Sequence, residues 1–439
     1  MRISSRRIAA ASAAAILVVG LAGCRGGGGG GTDEQGIRTD VGVTSEPCPD
    51  AIDETKGCIY LGTLSDLTVG PFKPLAVPIT ESQAAFWKRV NEAGGIAGYE
   101  VDVTTYVKDN QYNPGVTTQV YNEIKPNILG LIQTLGSEPT NAILADLKSS
   151  NILAVPAAWS STFAFEDIIL ESGANYCVEA MNAIDWALEQ KPDIDSVTAV
   201  GYPGDYGDDA AGGVKYSAEQ NDLTFKHIAT GPGGGDVQGA VVSQLITEKP
   251  DLVILTTGPT EAATIVTLVA LQGASAGYAP MFIGNSPTWN PAILASPAAG
   301  AMTAMYHQAG PWGPWGSDTP GHEAMREALG TPATLNDGYT AGWVWSYPMK
   351  AALEKAAANK DLTRKGLVDA AKSLTSVDYE GMLPSEAGNY AAGAAGQFKQ
   401  TLISKPDANA PTGVTTVEDF FTGPTAEGFT LTKACHETL

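Results

Sequence analysis

From residue 58 onward, short apolar runs alternate with stretches whose apolar positions recur every three or four residues. The run 58–64 reads as a buried strand. Residues 80–93 read as a helix capped by Thr80, with Gln83 three residues on and Gly94 and Gly95 ending it. Residues 100–107 alternate, placing Val101, Val103, Thr105 and Val107 on one face. A helix over 115–125, a strand over 128–134, a helix over 138–150 and a strand over 152–156 complete a first series. The beat then restarts, with helices over 176–190, 208–221, 236–248 and 260–272 and strands over 196–202, 225–229, 252–256 and 281–284. Strands separated by helices predict an α/β fold with parallel sheets flanked on both faces. Two series predict two similar lobes rather than one large sheet. The last third differs: an aromatic turn at 311–315, long helices over 338–358 and 363–374, then Gly-, Ala- and Pro-rich chain with a short strand over 396–402.

The N-terminus has a pattern of its own. Arg2, Arg6 and Arg7 precede an apolar stretch over 8–21, which ends in Leu21, Ala22, Gly23 and Cys24, and Gly26 to Gly31 follow. This is the anatomy of a secretory signal, too short for a stable membrane span. The thiol of Cys24 stands where the lipobox of bacterial lipoproteins carries its lipid. An ordinary cleaved signal with an incidental cysteine is the alternative. The expectation is a signal peptide over 1–23, a flexible tether over 24–57, and export to the outer face of the cell membrane, held there by the Cys24 lipid. No later run of eighteen apolar residues predicts a membrane span.

Composition narrows the partners. The formal net charge is -22, from 48 acidic and 26 basic side chains. That balance argues against nucleic acid, which needs clustered Lys and Arg. Of five cysteines, four remain beside Cys24: Cys48, Cys58, Cys177 and Cys435. An even number in an exported chain suggests two disulfides. Three pairings exist. The favoured one joins Cys48 to Cys58 across a short loop and Cys177 to Cys435, pinning the C-terminal tail to the body. Zinc is the alternative, without a C-x-x-C pair or a nearby His to support it.

Catalytic constellations are not apparent, and no metal or cofactor is expected. His227, His307, His322 and His436 show no metal-ligand spacing and no nucleophile elbow. Asp205, Asp208 and Asp209 cluster at a helix start, which the helix dipole favours. The glycines over 231–235 lack the Lys and hydroxyl residue of a phosphate loop. What remains is ligand binding beyond the C-terminal ends of the strands. The loops there offer Ser65, Ser137, Ala157, Trp159 and Ser160 in the first lobe. In the second they offer Tyr206, Thr257, Gly258, Asn285, Ser286 and Trp289. Ser137 opens a helix, where a hydroxyl and free N–H groups suit an anionic group, and plain N-capping is compatible with that. Trp289 serves equally as packing under a Pro-rich loop.

These residues carry a resemblance. Asn91, Glu92, Ala93, Gly94, Gly95 and Ile96 match a signature of the type 1 periplasmic binding proteins, in the leucine/isoleucine/valine-binding branch that serves ABC importers. Leu135 to Ser137, Ile152 to Ala157, Asp205 to Gly207, Pro250 to Val253, and Gly338 with Tyr339 follow in the family's order, over roughly residues 58–375. The resemblance implies two Rossmann-like lobes joined by a three-crossover hinge. Lobe one is then expected over 58–178 plus 305–375, and lobe two over 179–304 plus 376–439. It also implies a monomer that clamps a small-molecule ligand and delivers it to an ABC permease driven by a separate ATPase. Ser137, Ala157 and Trp159 would hold the ligand from lobe one, and Tyr206 would close over it. Amino-acid binders pair the ligand ammonium with an acidic residue after the strand ending at Gly284; Asn285 and Ser286 stand there instead. A branched-chain amino acid therefore fits no better than an amide or a less polar or aromatic solute. A sensing module feeding a signalling partner is the competing reading, and a hydrolase the third.

Overall fold

The computed structural model describes residues 31–33 and 35–439. The signal segment and Cys24 lie outside the described residues. In chain order, β1 (Gly31–Thr32), β2 (Arg38–Thr39) and β3 (Val43–Thr44) precede β4 (Gly57–Ser65), α1 (Lys73–Glu92), β5 (Tyr99–Asp109), α2 (Pro114–Ile124), β6 (Gly130–Leu135), α3 (Ser137–Ser150) and β7 (Ala154–Ala157). The chain then enters a second lobe with α4 (Tyr176–Gln190), β8 (Ser196–Gly201), α5 (Asp205–Gln220), β9 (Thr224–Ala229), α6 (Gly235–Glu248), β10 (Leu252–Thr256), α7 (Pro259–Gly273), β11 (Met281–Gly284), α8 (Ala299–Met305) and β12 (Tyr306–Gly310). It returns for α9 (Pro320–Leu329), α10 (Gly338–Ala358), β13 (Asp361–Leu362) and α11 (Arg364–Ala371). It crosses a third time to β14 (Thr401–Pro406), β15 (Val414–Phe421) and α12 (Pro424–Gly428).

Each lobe is built on a parallel sheet, as the alternation predicts. In lobe one β4 lies between β5 and β6, with β7 beyond β6. In lobe two β9, β8, β10, β11 and β12 run parallel, and the antiparallel pair β14 and β15 extends the sheet beside β12. The buried strands are rich in Val, Ile and Leu because helices cover both faces.

The sheet pairings move the lobe boundaries. β12 hydrogen-bonds in parallel to β11, so the second crossover follows Gly310 rather than residue 304. All of α4 packs in lobe two, against α5 and β14, so the first crossover precedes Tyr176 rather than following residue 178. Residues 376–398 were expected in lobe two, yet they begin against lobe one: Tyr379 meets Tyr347 edge-on at 5.8 Å, and Ala391 N donates to Leu374 O. The strand expected over 396–402 is β14, which begins at Thr401 and runs to Pro406.

The tether expected over 24–57 is also corrected: from Gly31 onward the described chain is folded onto lobe one. Ile37 is fully buried, β2 pairs with β13, and Arg38 forms an ion pair with Asp361. Tyr99 Oη donates to Asp33 at 2.6 Å, and Glu100 accepts from the amides of Ile52 and Asp53. Gly42 has φ +83°, and a Cβ there would stand 2.0 Å from the Leu129 nitrogen, so only glycine lets this strap cross.

The two disulfides are Cys48–Cys58 and Cys177–Cys435, the favoured pairing. Helix α1 begins at Lys73 rather than Thr80 and runs through Pro78. Thr80 donates back to Ala76 O instead of capping. Pro78 offers no N–H to the carbonyl of Pro74, and Asn336 Nδ2 fills that place at 3.1 Å.

Candidate functional site

The C-terminal ends of the parallel strands face one another across the gap between lobes. The gap holds about 900 Å³ of space, part of it open to solvent. β6 ends at Leu135, and the chain turns at Gly136 into α3. Gly136 has φ +97°, and a Cβ there would meet the Tyr112 ring at 2.6 Å. This turn sets Ser137 at the mouth of α3, where its Oγ is buried and has no hydrogen-bond partner. β7 ends at Ala157 and delivers Trp159 to the same wall.

Trp159 is the centre of an aromatic cluster. Its ring lies 4.9 Å from Trp345, 5.3 Å from Trp312 and 5.7 Å from Tyr176. Its Nε1 donates to Ser172 O at 2.8 Å, so the polar edge is turned away and satisfied. Tyr206 sits opposite, on the first turn of α5, edge-on to Tyr176 at 4.8 Å and to Phe72 at 5.8 Å. Its hydroxyl donates to Asn285 Oδ1 at 2.9 Å and lies 3.1 Å from Thr257 O. Trp289 stacks on Tyr306 at 5.8 Å and donates its Nε1 to Thr412 O at 3.0 Å. Tying the polar tips back leaves ring surface toward the gap.

Six of the residues read from the sequence meet here: Ser137, Ala157, Trp159, Tyr206, Ser286 and Trp289. The other five lie behind the wall. Ser65 is fully buried and accepts from Gln133 Nε2 at 2.8 Å. Ser160 Oγ donates to Asp205 at 2.7 Å. The Thr257 hydroxyl donates to Gly258 O, and Gly258 opens α7. Asn285 stands behind Tyr206, its Oδ1 accepting from that hydroxyl and its Nδ2 buried without a partner. Strand-end polar residues were read as facing the gap, but these turn inward to satisfy buried neighbours.

The wall also contains residues that the sequence reading missed. Phe72, Tyr112, Tyr176, Trp312 and Trp345 line it, with Leu402 and Val414 from the β14–β15 pair. Trp345 Nε1 is a second buried donor without a partner. Among the described residues no Lys or Arg lines the gap, and its one carboxylate is Asp337. Burial pushes the Asp337 carboxyl up to about 6, although Trp315 N donates to it at 2.7 Å. The arrangement suits an apolar body with one hydrogen-bonding head.

The likeness extends beyond geometry: residues 59–403 match the family described as periplasmic binding protein. The chain belongs to the periplasmic binding proteins of type 1. Its fold and its leucine/isoleucine/valine-binding branch are those the sequence motifs implied. This family consists of solute-binding proteins, the ABC transporter substrate-binding type among them. Among solved structures, a fatty acid ABC transporter substrate-binding protein from Thermomonospora curvata is 29% identical, with TM-score 0.82 over 91% of this chain and 98% of that one. An ABC transporter substrate-binding protein from Aeropyrum pernix shares the fold at 16% identity, with TM-score 0.70 over 84% of this chain and 98% of that one. So does a branched-chain amino acid ABC transporter protein from Thermus thermophilus with bound valine, at 16% identity and TM-score 0.69 over 85% and 98%. No curated protein matches the sequence. Among the described residues no helix of this periplasmic binding protein is long and apolar enough to cross a membrane.

Proposed function

We propose that this chain is the capture subunit of an ABC importer and that its ligand is a fatty acid or a similar apolar-tailed carboxylic acid. The observation that carries this reading is the wall of the gap: mostly aromatic and aliphatic, without a cation among the described residues, and with the free Ser137 hydroxyl at the start of α3. A helix N-terminus with a free hydroxyl suits a carboxylate head. The tail would lie against Trp159, Trp289 and Leu402, and Tyr206 would close over it. The likeness to the Thermomonospora curvata fatty acid protein supports the same class. An amino acid fits less well, because Asn285, whose Oδ1 already accepts from Tyr206, stands where amino-acid binders place the acidic partner of the ammonium.

Thermal melts with saturated fatty acids of increasing length test this. Each buried methylene is worth about 0.8 kcal/mol, roughly fourfold in affinity. Affinity should therefore climb with chain length, while leucine and valine leave the melt unchanged. Tyr206→Ala should weaken fatty acid binding at least about tenfold, or 1.4 kcal/mol. Melts that respond to leucine and not to fatty acids would overturn the ligand class.

We also infer that Cys24 carries a lipid that holds the protein at the outer face of the cell membrane. Cys24→Ser should release or misprocess the protein with its fatty acid affinity unchanged. Membrane-extracted wild type whose intact mass carries no acyl group would refute the anchor.

A further inference from the structure

Away from the ligand wall, the first turn of α5 drives two carboxylates into lobe one. Asp205 and Asp209 are four residues apart, on one face of the helix, and both are buried. Ser161 grips Asp209 with both its hydroxyl and its amide, the amide at 3.1 Å. Ser160 Oγ and Asn141 Nδ2 donate to Asp205. The contact is reciprocal, since the Asp205 amide donates to Glu138 Oε1 at 2.9 Å. Ser160, Ser161, Asn141 and Glu138 belong to lobe one, so every one of these bonds crosses between lobes. The C-terminal tail seals the same place: Cys435, bridged to Cys177 of α4, donates its amide to Ser161 Oγ at 2.8 Å.

The charges at this seam do not balance. Glu138 faces it from α3, Glu171 from the first crossover, and Asp205, Asp208 and Asp209 from α5. Glu171 Oε1 is buried without a partner, and burial holds its carboxyl well above the usual range. Facing them, His436 Nδ1 lies 3.1 Å from Asp205, and Lys215 is spent on Thr438 O. His227 reaches only Asp208, at 3.5 Å. Among the described residues no Lys or Arg forms an ion pair with any of the five carboxylates. Neutral hydroxyl and amide donors offset only part of the cost of burying the Asp209 carboxylate, and a second carboxylate beside it adds to that cost.

We propose that closing the lobes takes up a proton at the Asp205–Asp209 seam, so that capture is favoured in acid and release in alkali. The proposal rests on the clamp reading above but not on the identity of the ligand. Burial and the nearby Asp205 push the Asp209 carboxyl up to about 8. In open lobes that carboxyl meets water and ionises near 4. The closed form therefore holds a proton that the open form releases. Closure is fully supported in acid, and its advantage falls nearly tenfold per pH unit until about pH 8.

Small-angle scattering of the ligand-free full chain tests this. The wild type should have a smaller radius of gyration at pH 5.5 than at pH 8.5. Asp209→Asn, neutral at every pH and of the same shape, should stay compact at both. Ser161→Ala removes a donor that steadies the charged carboxylate in the closed form, so it should favour opening most at alkaline pH and move the opening midpoint downward, whereas a merely structural role would weaken closure equally at all pH values. A wild-type radius that does not change with pH, or an Asp209→Asn variant that opens like the wild type, would overturn the proposal. Failure to bind fatty acids would leave these readings untouched, so the two proposals fail separately.

Discussion

Replacing Cys177 and Cys435 together with serine should lower the stability of the fold by about 5 kcal/mol. The bridge joins residues 258 apart in sequence. In the chain-entropy picture, a crosslink of that span removes about 5 kcal/mol of unfolded-state freedom, against about 3 kcal/mol for the ten-residue span of Cys48–Cys58. The tail it holds is packed as well as tied. Leu431, Ala434 and Cys435 are buried, and a Cβ on Gly212 of α5 would come 2.3 Å from the Cys435 carbonyl oxygen. Urea unfolding of the two double-serine variants gives the comparison. Loss of the short bridge costing more than loss of the long one would contradict this account.

Trp159→Ala should cost about 3–5 kcal/mol in stability, the usual range for truncating a buried tryptophan. The ring is only 4% exposed and touches Tyr176, Trp312 and Trp345. Its removal would leave a void in the wall and should lower affinity for an apolar tail as well. Trp159→Phe keeps ring contacts and loses the bond to Ser172, which is worth about 1 kcal/mol. Chemical denaturation of both variants separates packing from hydrogen bonding. An alanine variant within about 1 kcal/mol of wild type would show that the cluster is loosely packed.

Much of the scaffold was legible because its signals are local. The strands over 252–256 and 281–284 and the helices over 176–190 and 338–358 have the bounds the pattern predicts. What was missed depends on contacts distant in sequence. Ile37 and Val43 are isolated apolar residues in a polar stretch, and nothing nearby reveals that β2 pairs with residue 361 or β3 with residue 59. β12 is a short run after α8, and only its sheet neighbours β11 and β14 give it a strand identity. In the candidate site, the strand-end rule located Ser137 and Trp159 because β6 and β7 point straight at the gap. It could not locate Phe72 or Trp345, whose helical or pre-helical positions face the gap only through the packing of α1 on α10. Nor could it show that Ser65, Ser160 and Thr257 use their hydroxyls on neighbours.

The folded strap at the N-terminus has a mechanical consequence. Seven residue steps separate Cys24 from Gly31, which allow a reach of at most about 25 Å. A folded body of this length has a radius of gyration of about 20 Å. An anchor at Cys24 would thus be a leash no longer than the protein is wide. Because β2 is fastened to β13 on lobe one, the leash would hold that lobe beside the bilayer, and lobe two would be the half left to swing.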